Sequence, residues 1–192
     1  MNKEIQNIAI YGGAFDPVHN GHIEIIYCLQ KMNKFSKIQL IPTFNPPHKE
    51  FIYADYTDRL KMLKILFKDS KNININNIEA KNNDKSWTIK TIEKLQQENN
   101  NSVLYLVMGG DSYLNFHQWH RYREILKKVR LLVFKRKNIN IRNISIPATI
   151  IKKNITDISS AKIREALKNK KSVLSYIPTI IHNYIKENNL YE

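Results

Sequence analysis

A strand, a glycine turn and a helix follow one another in NIAIYGGAFDPVHNGHIEIIYCLQKM, residues 7–32. The first five residues are mostly apolar, as in buried parallel strands, and Gly12 and Gly13 end this run. After Gly21, four positions follow the helical spacing i, i+3, i+4, i+7, with one polar exception: Ile23, Ile26, Tyr27 and Gln30. The stretch therefore predicts the first strand of a sheet and the helix that crosses from it to the next strand.

The same alternation continues along the chain. Four further apolar runs predict buried strands: Ile38–Ile41, Val103–Met108, Leu131–Phe134 and Thr149–Ile151. Helical spacing predicts helices over 57–67, 88–95, 159–167 and 178–190, and the asparagine-rich stretches 72–83 and 99–101 are predicted as loops. Alternating strands and helices are typical of α/β proteins. We therefore predict an open parallel sheet with helices on both faces, in a single domain over residues 1–192 whose C-terminal helical part begins near residue 157.

The composition excludes several classes of protein. With 192 residues, of which 42% are hydrophobic and 25% charged, the chain can form one packed core and is too apolar for a disordered protein. The single cysteine, Cys28, excludes an intrachain disulfide and a C-x-x-C zinc site. No apolar run approaches the roughly 18 residues of a membrane span, and no signal-like run opens the chain. These features predict a soluble, cytoplasmic protein without a membrane partner.

The charge balance favours anionic partners. Lys and Arg number 31 against 17 Asp and Glu, for a formal net charge of +14 at pH 7, and such a field attracts nucleic acids, membrane surfaces and phosphorylated metabolites. Most of the excess is lysine scattered among asparagine and isoleucine, which is typical of solvated faces. Because dense Arg-aromatic interleaving and zinc-knuckle spacing are absent, no dedicated nucleic-acid surface is predicted.

Glycine is confined to two places. The five glycines are Gly12, Gly13 and Gly21 after the first predicted strand, and Gly109 and Gly110 after the run VLYLVM. In open parallel sheets, ligands bind beyond the carboxyl ends of strands, where glycine permits close approach of the backbone. Both clusters therefore predict parts of one ligand site.

Two histidines mark the start of the first helix. His19 and His22 are three residues apart, so both imidazoles share one face of the first turn. A helix N-terminus presents N–H groups and positive partial charge, and imidazole donors added there would bind phosphate oxygens. A zinc site would need a third ligand that the neighbouring sequence does not supply, and two structural histidines are the remaining alternative. The phosphate interpretation is favoured.

Two further segments carry cationic side chains. PTFNPPHK, residues 42–49, is stiffened by three prolines and would present His48 and Lys49 at the same sheet edge, as a phosphate clamp or as a solvated turn. In DISSAKIR, residues 157–164, Ser159 or Ser160 caps a helix and Arg164 lies one turn further on. Hydroxyl, backbone N–H and guanidinium donors suit a polyphosphate, although an ordinary N-cap with a surface arginine fits the stretch almost as well.

A fourth segment, VMGGDSYLNFHQWHRY at residues 107–122, follows the third predicted strand. Asp111, just past the strand, can accept a hydrogen bond from a ribose hydroxyl, and Trp119 can stack on a heteroaromatic ring. A tryptophan of the core is the usual alternative. The segment is therefore a candidate nucleoside-binding element.

Together these motifs resemble a known family. GGAFDPVHNGH and ISSAKIR resemble the H-x-G-H and ISSxxxR signatures of the nucleotidylyltransferase superfamily, whose sheet is Rossmann-like. PTFNPPHK, SWT, GGDSYLNFHQWH and IPTIIHNYIKENNLY resemble the bacterial nicotinate-mononucleotide adenylyltransferases, and the likeness runs in order from Ile8 to Tyr191. The chain departs from the family pattern by GGD for GAD, by SWT for SYT at Trp87, and by Ala161 in place of a third serine.

The resemblance implies an enzyme that joins ATP and nicotinate mononucleotide into deamido-NAD and releases pyrophosphate. It implies four catalytic residues, which are His19, His22, Lys49 and Arg164. The implied ATP-binding residues are Gly12, Gly13, Phe15, His19, His22, Gly109, Asp111, Ile158, Ser159, Ser160 and Arg164. The implied mononucleotide-binding residues are Gly13, His48, Lys49, Thr88, Asp111 and Trp119. Mg²⁺ would accompany ATP without a metal site of the protein's own, and the sequence is compatible with a homo-oligomer.

Three alternatives stay open at the level of sequence. The net charge of +14 also fits a nucleic-acid-binding protein that has kept the fold without catalysis. The H-x-G-H signature is shared with pantetheine-phosphate adenylyltransferases, although Arg164, NPPHK and the Trp119 segment favour the pyridine-nucleotide branch. The choice between nicotinate and nicotinamide mononucleotide is the third, and only the family resemblance favours the acid.

Overall fold

A computed structural model describes residues 5–47, 51–81, 85–135, 145–153 and 155–192. Within these ranges the strands are β1 (Gln6–Gly13), β2 (Lys37–Pro42), β3 (Ile73–Ile75), β4 (Ser102–Gly109), β5 (Arg130–Phe134) and β6 (Thr149–Ile151). The α-helices are α1 (Asn20–Lys31), α2 (Tyr56–Phe67), α3 (Thr88–Glu98), α4 (Gly110–Leu114), α5 (Tyr122–Lys128), α6 (Ser160–Lys168) and α7 (Thr179–Glu187). Two short 3₁₀ segments lie at Ile78–Lys81 and Phe116–Gln118.

The strands form one sheet in the order β3-β2-β1-β4-β5-β6, and every pairing is parallel. This is the order of a doubly wound Rossmann sheet, in which the winding direction reverses between β1 and β4. The predicted α/β fold is therefore confirmed. The reversal places the ends of β1 and β4 side by side, since Tyr11 pairs with Val107 one residue before the first glycine cluster.

The near-continuous apolar strands are explained by burial on both faces of the sheet. One face carries Ala9, Tyr11, Tyr105 and Val107, and it packs against residues of α1, α2, α6 and α7. The opposite face carries Ile8, Ile10, Leu104 and Leu106, and it packs against α3 and α5. Alternation of side chains along each strand thus supplies two cores.

The prediction of a loop over residues 72–83 is wrong at its start, because β3 lies inside that stretch. Ile73 pairs with Ile38 and Ile75 with Leu40, and Ile73 is buried in the core. Only two alternating isoleucines stand among asparagines here, so the period-two signal is short. Pairing with the apolar edge of β2 overrides the low strand propensity of asparagine.

The start of α1 touches a segment far along the chain. The Glu24 carboxylate accepts hydrogen bonds from the backbone N–H of Thr156, at 2.7 Å, and from its hydroxyl, across 132 positions. A Cβ atom on Gly21 would lie 3.1 Å from the Thr156 carbonyl oxygen and 3.2 Å from the His19 ring. Gly21 is therefore required for close approach, and this contact brings the segment that leads into α6 against α1.

We predict that Gly21→Val lowers the free energy of unfolding by about 1–3 kcal/mol, the usual cost of overpacking a tight contact. The Thr156 backbone is held on the same helix by Glu24, so it cannot move away cheaply. The matched control is Gly109→Val, where a Cβ atom meets nothing within 4 Å. Urea unfolding of both variants measures the difference, and equal losses of stability would contradict the packing role of Gly21.

Candidate active site

A cavity of about 340 Å³ lies at the carboxyl ends of β1 and β4, where the winding of the sheet reverses. Parallel sheets bind ligands at this point, and the volume falls within the roughly 300–1,000 Å³ of small-molecule sites. Seven residues predicted from sequence line it: Gly12, Gly13, His22, Thr88, Gly109, Asp111 and Trp119. The two glycine clusters therefore meet at one cavity.

A second cavity of about 310 Å³ adjoins the first. The two share lining residues, among them Thr43, Ser86, Thr88 and Trp119, so they form one cleft. Pro46 and Pro47 line the second cavity. Trp87 and His120 also line it, with ring centroids 4.5 Å apart. The departure from the family pattern at Trp87 thus lies in the wall of the cleft.

His22 is the imidazole that faces the cavity. Its Nδ1 accepts a hydrogen bond from the backbone N–H of His19 at 3.3 Å. With Nδ1 engaged in this hydrogen bond, Nε2 is the ring nitrogen that remains to contact a ligand. The His22 ring also stacks on His19 at a centroid distance of 3.7 Å. The His22 ring is therefore held by the His19 backbone at Nδ1 and by the His19 ring on one face, which leaves Nε2 for a ligand.

His19 and Phe15 lie behind His22. The His19 side chain is 1% exposed at the N-cap of α1. The Phe15 ring is also 1% exposed and meets the His22 ring edge-on at 5.0 Å. Phe15 adopts a left-handed φ of 50°, which turns its side chain into the core. Both residues support the His22 ring, and the ATP-binding role of Phe15 stays a prediction.

The start of α6 sits on the loop that follows β1. Ser159 is the N-cap, and its hydroxyl accepts a hydrogen bond from the Lys162 N–H at 3.3 Å. Ser160 donates its hydroxyl to the Pro17 carbonyl at 2.9 Å. Ile158, also predicted at this site, is buried beside them. The structure thus joins the first and third motifs across more than 140 positions of sequence.

Arg164 extends from α6 to the same loop. Its Nη1 donates to the Asp16 carbonyl oxygen at 2.7 Å and lies 3.7 Å from the Asp16 carboxylate. The Tyr53 ring lies 4.2 Å from the guanidinium carbon. Among the described residues, the buried Nε of Arg164 has no hydrogen-bond partner. The guanidinium is therefore fixed at one edge by the loop that follows β1.

Asp16 is a functional residue that sequence reasoning missed. It is 3% exposed, and its carboxylate accepts hydrogen bonds from Tyr53 N–H at 2.9 Å, Ala54 N–H at 3.0 Å and the Tyr191 hydroxyl at 2.9 Å. A buried carboxylate requires such partners. The available signal was an aspartate inside GGAFDPVHNGH without an assigned role.

Arg59 is a second residue missed from sequence. It is 1% exposed and donates to three backbone carbonyls, those of Ala14, Thr43 and Ala54, at 2.7 to 3.1 Å. Burial lowers the pKa of its guanidinium, and the nearby Asp16 carboxylate opposes that shift. Arg59 thereby holds together the loops after β1 and β2. Its spacing with Met62 and Leu63 along α2 was the available signal, since all three share the buried face.

Glu79 places a carboxylate in the cavity wall. It accepts a hydrogen bond from the Thr91 hydroxyl at 2.8 Å and another from the Phe44 N–H at 3.3 Å. Burial raises the pKa of Glu79, while hydrogen bonds from Ser86 and Thr91 oppose that shift. Burial, followed by the charge of Glu79, raises the pKa of Tyr56 to about 12. Glu79 ties the loop after β2 to α3, and sequence reasoning assigned it no role.

Thr88, Asp111 and Trp119 occupy the far wall. Thr88 is the first residue of α3, and Asp111 lies exposed in α4. Trp119 is half-buried, with its ring 5.2 Å from that of Phe116, and it lines both cavities. The Trp119 ring can therefore present one face to a ligand while it contacts Phe116 of the core.

Two predicted residues, His48 and Lys49, lie outside the described residues, and their roles stay predictions. In the described part of the chain, no three His, Cys, Asp or Glu side chains group closely enough to hold a metal ion. No helix within the described ranges is both long and apolar enough to cross a membrane.

Comparison with known proteins places this chain in a family. The cytidylyltransferase-like family model matches residues 10–166. A probable nicotinate-nucleotide adenylyltransferase of Clostridium tetani is 34% identical, over 95% of this chain and 98% of the relative. A protein of the same description from Legionella pneumophila (strain Paris) is 32% identical, over 98% of this chain and all of the relative.

Solved structures share the fold. A Plasmodium falciparum nicotinic acid mononucleotide adenylyltransferase complexed with NaAD superposes with a TM-score of 0.84 at 21% identity, over 97% of both chains. The same enzyme complexed with APC gives a TM-score of 0.81 at 20% identity, again over 97% of both chains. The resemblance drawn from the motifs is thus confirmed: the chain belongs to the cytidylyltransferase-like family and, within it, to the nicotinate-nucleotide adenylyltransferases.

Proposed function

We propose that this protein transfers the adenylyl group of ATP to nicotinate mononucleotide, giving deamido-NAD and pyrophosphate. The observation that carries the proposal is the cleft at the β1–β4 reversal, with His22 in its wall and Arg164 seated on the adjoining loop. Relatives described as probable nicotinate-nucleotide adenylyltransferases support the substrates. A neighbour of the same fold complexed with NaAD supports a dinucleotide product.

The proposed reaction is a direct in-line displacement. A 5′-phosphate oxygen of the mononucleotide attacks the α-phosphorus of ATP, a new P–O bond forms, and the bond to the β-phosphate bridging oxygen breaks to release pyrophosphate. The attacking phosphate is already largely a dianion at neutral pH, since its second pKa is about 6, so no general base is required. Catalysis is then a matter of aligning two polyanions and stabilising the charge that builds up.

His22 is proposed to donate from Nε2 to the α-phosphate as charge develops there. The engagement of its Nδ1 by the His19 backbone and its place in the cavity wall support this role. His19 is proposed as the second imidazole of the phosphate site. Because it is buried and stacked behind His22, its main proposed role is to orient the His22 ring. Such preorganised donors are effective because they need no rearrangement at the moment of reaction.

Arg164 is proposed to bind the β- and γ-phosphates together with Ile158, Ser159 and Ser160 at the start of α6. The unpartnered Nε among the described residues and the helix N-terminus beside it support this assignment. Lys49 is proposed to offset repulsion between the two substrates. Mg²⁺ is proposed to arrive on the triphosphate, because magnesium commonly binds through substrate phosphates.

The mononucleotide is proposed to lie along the wall formed by Gly13, Thr88, Asp111 and Trp119, which line the cavity. Trp119 would stack on the pyridine ring and Asp111 would accept from a ribose hydroxyl. His48 is proposed to complete this subsite.

The direct test offers purified protein ATP and Mg²⁺ with nicotinate mononucleotide or nicotinamide mononucleotide in parallel, and measures pyrophosphate together with the dinucleotide product. We expect faster turnover with the acid. A preference for the amide would correct the substrate. Absence of pyrophosphate release with both would overturn the proposed function.

We predict that His22→Ala lowers kcat by roughly 10² or more, the scale for loss of one preorganised transition-state donor. His22→Gln restores an N–H donor at the distance of Nε2 and should recover part of the rate. Steady-state kinetics at saturating substrates is the measurement, with His182→Ala on α7 as the control. A near-normal rate for His22→Ala would exclude His22 from the chemical step.

We predict that Trp119→Ala raises KM for the mononucleotide by about tenfold, because ring stacking on a base contributes about 1–3 kcal/mol. KM for ATP should change less than about twofold. Trp119→Phe keeps an aromatic face, so its KM for the mononucleotide should lie between those of the wild type and Trp119→Ala. Equal increases in both KM values would contradict the stacking role.

A further inference from the structure

The end of the chain turns back onto the loop that follows β1. Helix α7 ends in a Schellman motif, in which Leu190 N–H donates to Ile185 O at 3.0 Å and Asn189 N–H to Lys186 O at 3.3 Å. Asn189 has the left-handed φ of 49° that this motif requires. The turn brings the next residue, Tyr191, to the buried carboxylate of Asp16.

Tyr191 adopts a strained backbone to make this contact. Its φ is 69°, a region that bulky residues rarely occupy. Its hydroxyl donates to Asp16 Oδ1 at 2.9 Å. Burial raises the pKa of the Tyr191 phenol, the Asp16 charge raises it further, and Arg164 and Arg59 oppose the shift. The hydroxyl therefore keeps its proton and stays a donor throughout the neutral range.

The Asp16 carboxylate is fixed from several directions. Oδ1 accepts from Ala54 N–H and from Tyr191, while Oδ2 accepts from Tyr53 N–H and faces Arg164 Nη1 at 3.7 Å. Tyr191 is the side-chain donor that holds Oδ1 from the C-terminal side. Removing its hydroxyl would leave that oxygen with one backbone partner and allow the carboxylate to rotate.

Arg164 depends on Asp16 for its position. Its Nη1 donates to the Asp16 carbonyl at 2.7 Å and pairs with the Asp16 carboxylate, while its Nε stays without a partner among the described residues. The Tyr53 backbone N–H also donates to the Asp16 carboxylate, and the ring of the same residue lies under the Arg164 guanidinium. One carboxylate thus sets both the edge and the underside of the guanidinium.

We propose that Tyr191 is a positioning residue: its hydroxyl fixes the Asp16 carboxylate, and Asp16 in turn holds Arg164 where it meets the triphosphate of the nucleotide. This inference rests on the proposed function, because it assigns Arg164 to the triphosphate. It adds that ATP binding depends on Tyr191, a residue that lies outside the phosphate-binding motifs in the sequence.

The test is Tyr191→Phe, which removes the hydroxyl and keeps the ring. We expect KM for ATP to rise about 5- to 20-fold, near the lower end of the scale for losing a hydrogen bond to a charged group, because Tyr191 acts on ATP through Asp16 and Arg164. KM for the mononucleotide should change less than about twofold, because its subsite lies on the far wall. Direct calorimetric titration with ATP and Mg²⁺, without the second substrate, should show the same loss.

Tyr184→Phe is the matched control. The Tyr184 hydroxyl donates to the Asp58 carboxylate at 2.7 Å, so the variant also loses a tyrosine–aspartate hydrogen bond of the C-terminal part, away from Arg164. It should lower the melting temperature without changing KM for ATP. If Tyr191→Phe and Tyr184→Phe shift both KM values alike, the bond is structural only and the positioning role is excluded.

A double-mutant cycle separates this inference from the proposed function. In an Arg164→Ala background, Tyr191→Phe should cause no further loss of ATP affinity by calorimetry, and additive losses would overturn the proposal. Asp16→Asn, which keeps the shape and removes the charge, should reproduce the selective loss of ATP affinity if Tyr191→Phe is too unstable to purify. Failure of the wild-type chain to form product would reject the proposed function, while the ATP-binding cycle would still be measurable.

Discussion

The buried carboxylate of Asp16 is the interaction on which the site depends. A carboxylate that is 3% exposed must be matched by donors, and these come from the loop before α2, from α6 and from Tyr191, which follows α7. The donors thus come from segments that are far apart in the sequence. Because loss of any partner leaves the charge under-compensated, the carboxylate holds the segments in one arrangement.

The doubly wound sheet supplies the geometry around this centre. The reversal between β1 and β4 opens a gap at their carboxyl ends, and the glycines there leave room for a ligand against the backbone. Arg59 donates hydrogen bonds to three backbone carbonyls and so holds together the loops beside the cavity. Within the described residues, strand ends and hydrogen-bonded loops thus line the cavity.

The distribution of charge in the site is more selective than the net charge of +14. Arg59 and Arg164 flank Asp16, so one negative charge offsets part of two positive charges. Glu79, on the opposite wall, accepts hydrogen bonds from the Thr91 hydroxyl and the Phe44 backbone N–H.

The sequence by itself determined the fold class, five of the strands and the motifs that line the cleft, because apolar periodicity, glycine placement and helix-start residues are local signals. It could not show β3, whose two isoleucines become a strand only by pairing with β2. Nor could it show that His19 lies behind His22, or that Asp16, Arg59, Glu79 and Tyr191 share in building the site. Only the tertiary structure decided these points, since a buried polar residue acquires its role from partners brought to it across the chain, here over as many as 175 positions.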